Sequence, residues 1–197
     1  MKKLSVVIPL LFTSFALSAA PVSGDFRTES DLPDHSTAGP LVYESIGQSI
    51  GSGYELDSSH FQGNPSGWGG GVVWMDYNTS TNILTLDSQD RWDFQTFDAW
   101  ITNISFGLAG EIISGVSLLS DSLTTPSFGP TLSFTNDSLH VSYDYRPDVF
   151  DFTGGTSTFQ IETSSTASVP EPSVISLLAL GLAGIGFTRK KKAIYNI

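Results

Sequence analysis

Ser138-Leu139-His140-Val141-Ser142-Tyr143-Asp144-Tyr145 is the stretch that decides the fold class. Leu139, Val141, Tyr143 and Tyr145 fall on one side of an extended chain and His140, Ser142 and Asp144 on the other, the period of two that marks a half-buried strand. Outward from here the same alternation recurs at Leu132 and Phe134, at Phe159 and Ile161, at Ile104, Phe106 and Leu108, and at Leu84 and Leu86. Val72 to Tyr77 is more continuously apolar, which predicts a central strand covered on both faces. Turn-forming clusters separate these runs at residues 51–53, 63–71, 78–82, 124–130 and 153–155. About eight or nine short strands of this kind predict an all-β fold, an antiparallel two-sheet β-sandwich resembling a jelly roll. The predicted core holds Trp74, Leu84, Leu86, Phe106, Leu132, Phe134, Val141, Tyr143, Phe159 and Ile161.

The two ends carry a different pattern. Lys2 and Lys3 precede an apolar run from Leu4 to Leu17 and then the small residues Ser18, Ala19 and Ala20, the order of a secretory signal peptide over residues 1–20. Pro21 hinders a cut after Ala20, so cleavage after Ser18, with Ala16 at the other small position, is the alternative. At the far end Val169-Pro170-Glu171-Pro172 leads into an apolar stretch over residues 174–187 and then Arg189, Lys190, Lys191 and Lys192. Fourteen residues of helix reach about 21 Å, short for a hydrocarbon core of about 30 Å but able to cross where the bilayer thins and lysines snorkel. The basic clusters at both ends predict both termini inside and the middle of the chain translocated.

The tripeptide Pro170-Glu171-Pro172, a short helix rich in Leu, Ala and Gly, and a basic cluster near the end together resemble the PEP-CTERM sorting signal of Gram-negative bacteria. That resemblance implies an exosortase as processing partner, recognition at residues 170–172, and transient anchoring in the inner membrane before release to the cell surface or extracellular matrix. The implied organisation is a signal peptide at 1–20, a loose polar leader at 21–40, a β domain at 41–163, a Ser/Thr spacer at 164–169 and the sorting signal at 170–192, with its transmembrane helix at 174–187.

Composition narrows the role of the translocated part. Between Pro21 and Pro170 nineteen carboxylates face only Arg27, Arg91 and Arg146, with no lysine. Such a field repels phosphate backbones and excludes nucleic acid as a partner. Cysteine is absent, so neither disulfides nor thiol chemistry are available and burial of apolar surface must hold the domain.

Candidate chemistry is sparse. The glycine-rich segment Gly63 to Gly71 lacks the lysine and following helix of a phosphate loop and reads as a bulged connection around Trp68. Asp87, Asp90, Asp93 and Asp98 are compatible with a weak calcium site, yet the segment lacks the spaced aspartates and glycine of a calcium loop, so no cofactor is predicted. Trp92 and Trp100, with Asp90, Arg91 and Gln95, are the candidate glycan contacts: an aromatic face under a sugar ring and polar groups for its hydroxyls. His35, His60 and His140 show neither metal-pair nor nucleophile–base spacing, and His140 reads as exposed. No catalytic residue is nominated. The expected function is a non-catalytic, exported surface or matrix protein associated with exopolysaccharide. The alternative is a carbohydrate-binding module, and behind it a secreted glycoside hydrolase with two of the nineteen acids as its pair.

Overall fold

The computed structural model describes residues 20–165. The expected signal peptide up to residue 19, the expected spacer at 166–169 and the expected transmembrane helix at 174–187 lie outside the described residues. The described chain is all-β, with one short 3-10 turn at Ser58–His60, and all its strand pairs are antiparallel.

One sheet has six strands: β1 (Pro21–Asp31), β2 (Leu41–Ser49), β3 (Phe61–Gly63), β7 (Thr96–Phe106), β10 (Thr131–Phe134) and β11 (Leu139–Asp144), in the order β10-β11-β7-β1-β2-β3. A second has four: β4 (Val73–Asn78), β5 (Ile83–Ser88), β8 (Glu111–Asp121) and β13 (Thr156–Ser165), in the order β4-β5-β13-β8. Phe26, Tyr43, Phe97 and Val141 from the first and Met75, Leu84, Phe159 and Ile161 from the second belong to one buried cluster. A third, three-stranded sheet, absent from the two-sheet expectation, is built from β6 (Asp93–Phe94), β9 (Thr124–Thr125) and β12 (Phe150–Phe152). Its rings close one end of the core: Phe94 packs on Phe152 and Phe152 on Phe97, with centroids 5.7 and 5.4 Å apart.

The expectation of a loose leader over residues 21–40 is overturned. Residues 21–31 form β1, an interior strand paired with β7 on one side and β2 on the other. Its Phe26, Thr28 and Ser30 point into the core while Arg27 and Glu29 point out. The inward set contains a single large apolar side chain, so the alternation carries almost no hydropathy signal. The small size of Ser30 has a cause: the glycine-rich connection passes directly over it. Ser30 Oγ donates to the Gly71 carbonyl at 3.0 Å. A Cβ on Gly71 would lie 2.7 Å from Phe94 and 2.9 Å from Ser30 Cβ, and its φ of +76° is itself costly for any other residue. Residues 64–72 form an irregular connection between β3 and β4, with Trp68 packed on the core's margin.

Two further expectations need correction. Val72 to Tyr77 is not a central strand: β4 lies at a sheet edge, Val73, Met75 and Tyr77 are buried, and Trp74 turns to the other face, where it packs edge-on against Tyr54. The predicted spacer begins too early, since β13 continues to Ser165 and pairs there with Glu111. Of the predicted core, Leu84, Leu86, Val141, Tyr143, Phe159 and Ile161 are buried, while Phe106 and Leu132 pack partly against it. Phe134 is exposed, because β10 is the outermost strand of its sheet and little covers it.

Phe26→Ala should destabilise the domain by about 3 to 5 kcal/mol, the range for deleting a fully buried ring, measured by urea unfolding. A loss under about 1 kcal/mol would contradict the placement of β1. Glu55 supplies a second test. Its buried carboxylate accepts from the backbone N–H of Tyr77 at 2.8 Å and of Gly51 at 3.1 Å, yet burial pushes its pKa above the usual value of 4.5, against those two bonds. A raised carboxyl pKa means that this group's contribution to stability is largest below the unfolded value and falls as pH rises through the folded one. The stability margin of the wild type over Glu55→Gln should therefore narrow as pH rises above the ordinary carboxyl value of 4.5, read from paired melting curves.

Candidate functional site

The outward face of the six-stranded sheet gathers polar and aromatic groups that are far apart in sequence. Strand register aligns Ser133, His140, Trp100, Arg27 and Glu44 in one row across β10, β11, β7, β1 and β2. The adjacent row holds Ser142, Asp98, Glu29 and Val42. Each residue reaches this face because its strand neighbours, such as Ala99 and Ile101 around Trp100, are buried on the other.

Trp100 is the ridge of this surface. The His140 imidazole lies parallel to the indole, centroids 4.8 Å apart and planes 7° from coplanar. His140 Nε2 is 2.8 Å from Asp98 Oδ1, which fixes the ring against rotation. On the other side Arg27 bonds both Glu29 and Glu44, the latter at 2.9 Å. Two shallow hollows flank the ridge. One, of about 340 Å³, is bordered by Arg27, Glu29, Glu44, Ile46 and Trp100. The other, of about 210 Å³, lies between Trp100, His140, Ser133 and Phe134. Ile46 and Phe134, 75% and 44% exposed, bring apolar surface to opposite margins.

The five sequence-nominated glycan contacts do not form one site. Trp100 lies on the ridge just described. Trp92 is exposed but packs over Gly69 and Gly70, and no described hollow is bordered by both tryptophans. Asp90 is occupied by the backbone N–H groups of Val72 and Trp92, so it shapes a turn. Arg91 borders a separate hollow with Thr125, Asp151 and Thr153. Gln95 is fully buried, its amide donating to Asp34 and to the Pro147 carbonyl, and a sugar does not reach it.

The acids of residues 87–98 also diverge. Asp87 accepts from Tyr54 Oη at 2.7 Å, which pushes the Tyr54 phenol up to about 12, whereas Asp98 faces His140. Among the described residues no group of three or more His, Cys, Asp or Glu is placed to hold a metal ion. His140, expected to be merely exposed, is the residue that sequence reasoning missed. Its partners Asp98 and Trp100 are about forty positions away, and only the register of β11 on β7 unites them.

The comparison with protein families matches the PEP-CTERM protein-sorting motif over residues 168–191. Neither the curated proteins nor the solved structures provide a match. The chain thus carries a PEP-CTERM sorting motif, which marks it for export, for anchoring through its C-terminal region and for processing by an exosortase. Pro170 and Pro172 lack a backbone N–H, and the tripeptide lies inside the matched motif. Changing Pro170, Glu171 and Pro172 to Ala should leave export intact and block removal of the tail, giving a larger, membrane-retained product on an immunoblot. Normal processing of that variant beside its cognate exosortase would refute the assignment.

Proposed function

We propose that the mature domain is a non-catalytic β-sandwich that exosortase processing delivers to the cell surface or extracellular matrix, where the Trp100 ridge rests against exopolysaccharide. One observation carries this reading: an outward sheet face on which a half-buried indole is braced by His140 and bordered by Arg27, Glu29 and Glu44. Sugar rings present C–H faces that stack on indoles and hydroxyls that bond carboxylates and guanidinium groups. A rigid, nearly flat β surface with shallow hollows suits a long polymer that lies across strands.

The hydrolase alternative is less well supported by the same residues. Glu29 and Glu44 border one hollow, but both accept from Arg27 rather than standing across an open cleft as acid and nucleophile. Folding without a bound cation belongs to the same proposal, since Asp87, Asp90 and Asp98 each have a protein partner of their own.

Binding of the chain to an array of bacterial exopolysaccharides is the deciding experiment. Trp100→Ala should weaken the captured glycan by about tenfold, the loss of one stacking contact, while Trp92→Ala leaves it unchanged. Equal loss from both variants, or none from Trp100→Ala, would reject the ridge as the contact surface.

A further inference from the structure

We infer that, while the tail is still attached, the domain stands end-on with the 107–110 turn against the bilayer surface and the three-stranded sheet pointing away. This rests on the reading that the tail crosses the membrane before processing. The register of the strands places both exits at one end. Pro21, the first residue of β1, pairs with Phe106, and Ser165, the last of β13, pairs with Glu111. Phe106 and Glu111 are joined by the short turn 107–110, so the segment toward the signal peptide and the segment toward the sorting motif leave the domain side by side. The Ala20 carbonyl already accepts from Gly107 N–H in that turn. Exposed Val22 and Leu108 sit at this end.

Chain length limits the alternatives. The nine steps from Ser165 to Val174, where the apolar stretch begins, reach at most about 32 Å even fully extended. The ten steps of β1 from Pro21 to Asp31 span about 33 Å from this end to the other, before any turn back toward the surface. A tether anchored at Ser165 is too short to run the length of the domain and turn the far end to the membrane.

Charge favours the same arrangement by degree: Glu111 and Asp137 lie at the 107–110 end, and the far end carries more carboxylates. Asp31 ends β1 and Asp34 follows it at the far end, and Asp90 and Asp93 border the three-stranded sheet there with Asp144, Asp148 and Asp151. Arg91 and Arg146 oppose these seven carboxylates, leaving that end strongly negative. An anionic bilayer repels it and disfavours tilting toward the surface.

The chain has no cysteine, so single labels are clean. The full chain, carrying a fluorophore on Ala109→Cys or on Ser127→Cys, is reconstituted in vesicles of phosphatidylethanolamine and phosphatidylglycerol that contain a headgroup-linked quencher. Ala109 lies in the 107–110 turn and Ser127 at the opposite end. Quenching should be several-fold greater at Ala109→Cys, and a long Gly/Ser insert after Ser165 should remove the difference. Equal quenching of both labels in chains that float with the vesicles would overturn the end-on arrangement alone. Chains that fail to float would overturn the membrane-crossing tail, and the orientation with it.

Discussion

The pairing of β1 with both β7 and β2 is the constraint on which the rest of the fold depends. This strand opens the described chain, yet it completes its hydrogen bonds only with residues 96–106 on one side and 41–49 on the other. Until β7 has been made, one edge of β1 is an open row of backbone donors and acceptors. The six-stranded sheet, the core beneath it and the outward row through Arg27 and Trp100 all follow from that long-range closure. The glycine-rich connection then locks the strand from its inner side, where only a residue without a side chain fits between Ser30, Leu41 and Phe94.

The core achieves closure without disulfides by concentrating aromatic rings at the end remote from the chain exits. Phe94, Phe97, Phe128, Phe150, Phe152 and Tyr143 contact one another there. Tyr143 also ties the layers together, its hydroxyl donating to Ser157 Oγ of β13 at 3.0 Å, and burial holds its phenol well above the ordinary value, so the bridge stays neutral. That end carries little sheet of its own, and dense ring packing takes the place of long strands.

An acidic surface with three arginines leaves few ways to build a polar platform. Among the described residues Arg27 is the only arginine on a strand, and it holds two glutamates of the same sheet. Without it, Glu29 and Glu44 would be left as like charges at diagonal positions of β1 and β2. The same face takes its rigidity from His140, clamped between a carboxylate and an indole. Pro21 and Ser165, the outer ends of β1 and β13, thus lie at one end of the domain, and the row through Trp100 lies along its side.

What the sequence determined by itself was whatever resides in contiguous residues. The period of two in Leu139 to Tyr145 and in β5 and β13 is a property of neighbouring side chains, and it sufficed for the all-β class and for Leu84, Leu86, Val141, Tyr143, Phe159 and Ile161 in the core. The sorting motif is likewise a short linear pattern, legible without a fold. Only the tertiary structure decided that residues 21–31 are an interior strand, because the inward Thr28 and Ser30 carry no hydropathy and their burial comes from chain segments that pass over them. Only register decided that Trp100, His140, Asp98 and Arg27 meet, and that Gln95 is buried away from them. Cross-strand neighbours are chosen by hydrogen bonding between distant segments, and a shift of one residue would send each of these side chains to the opposite face.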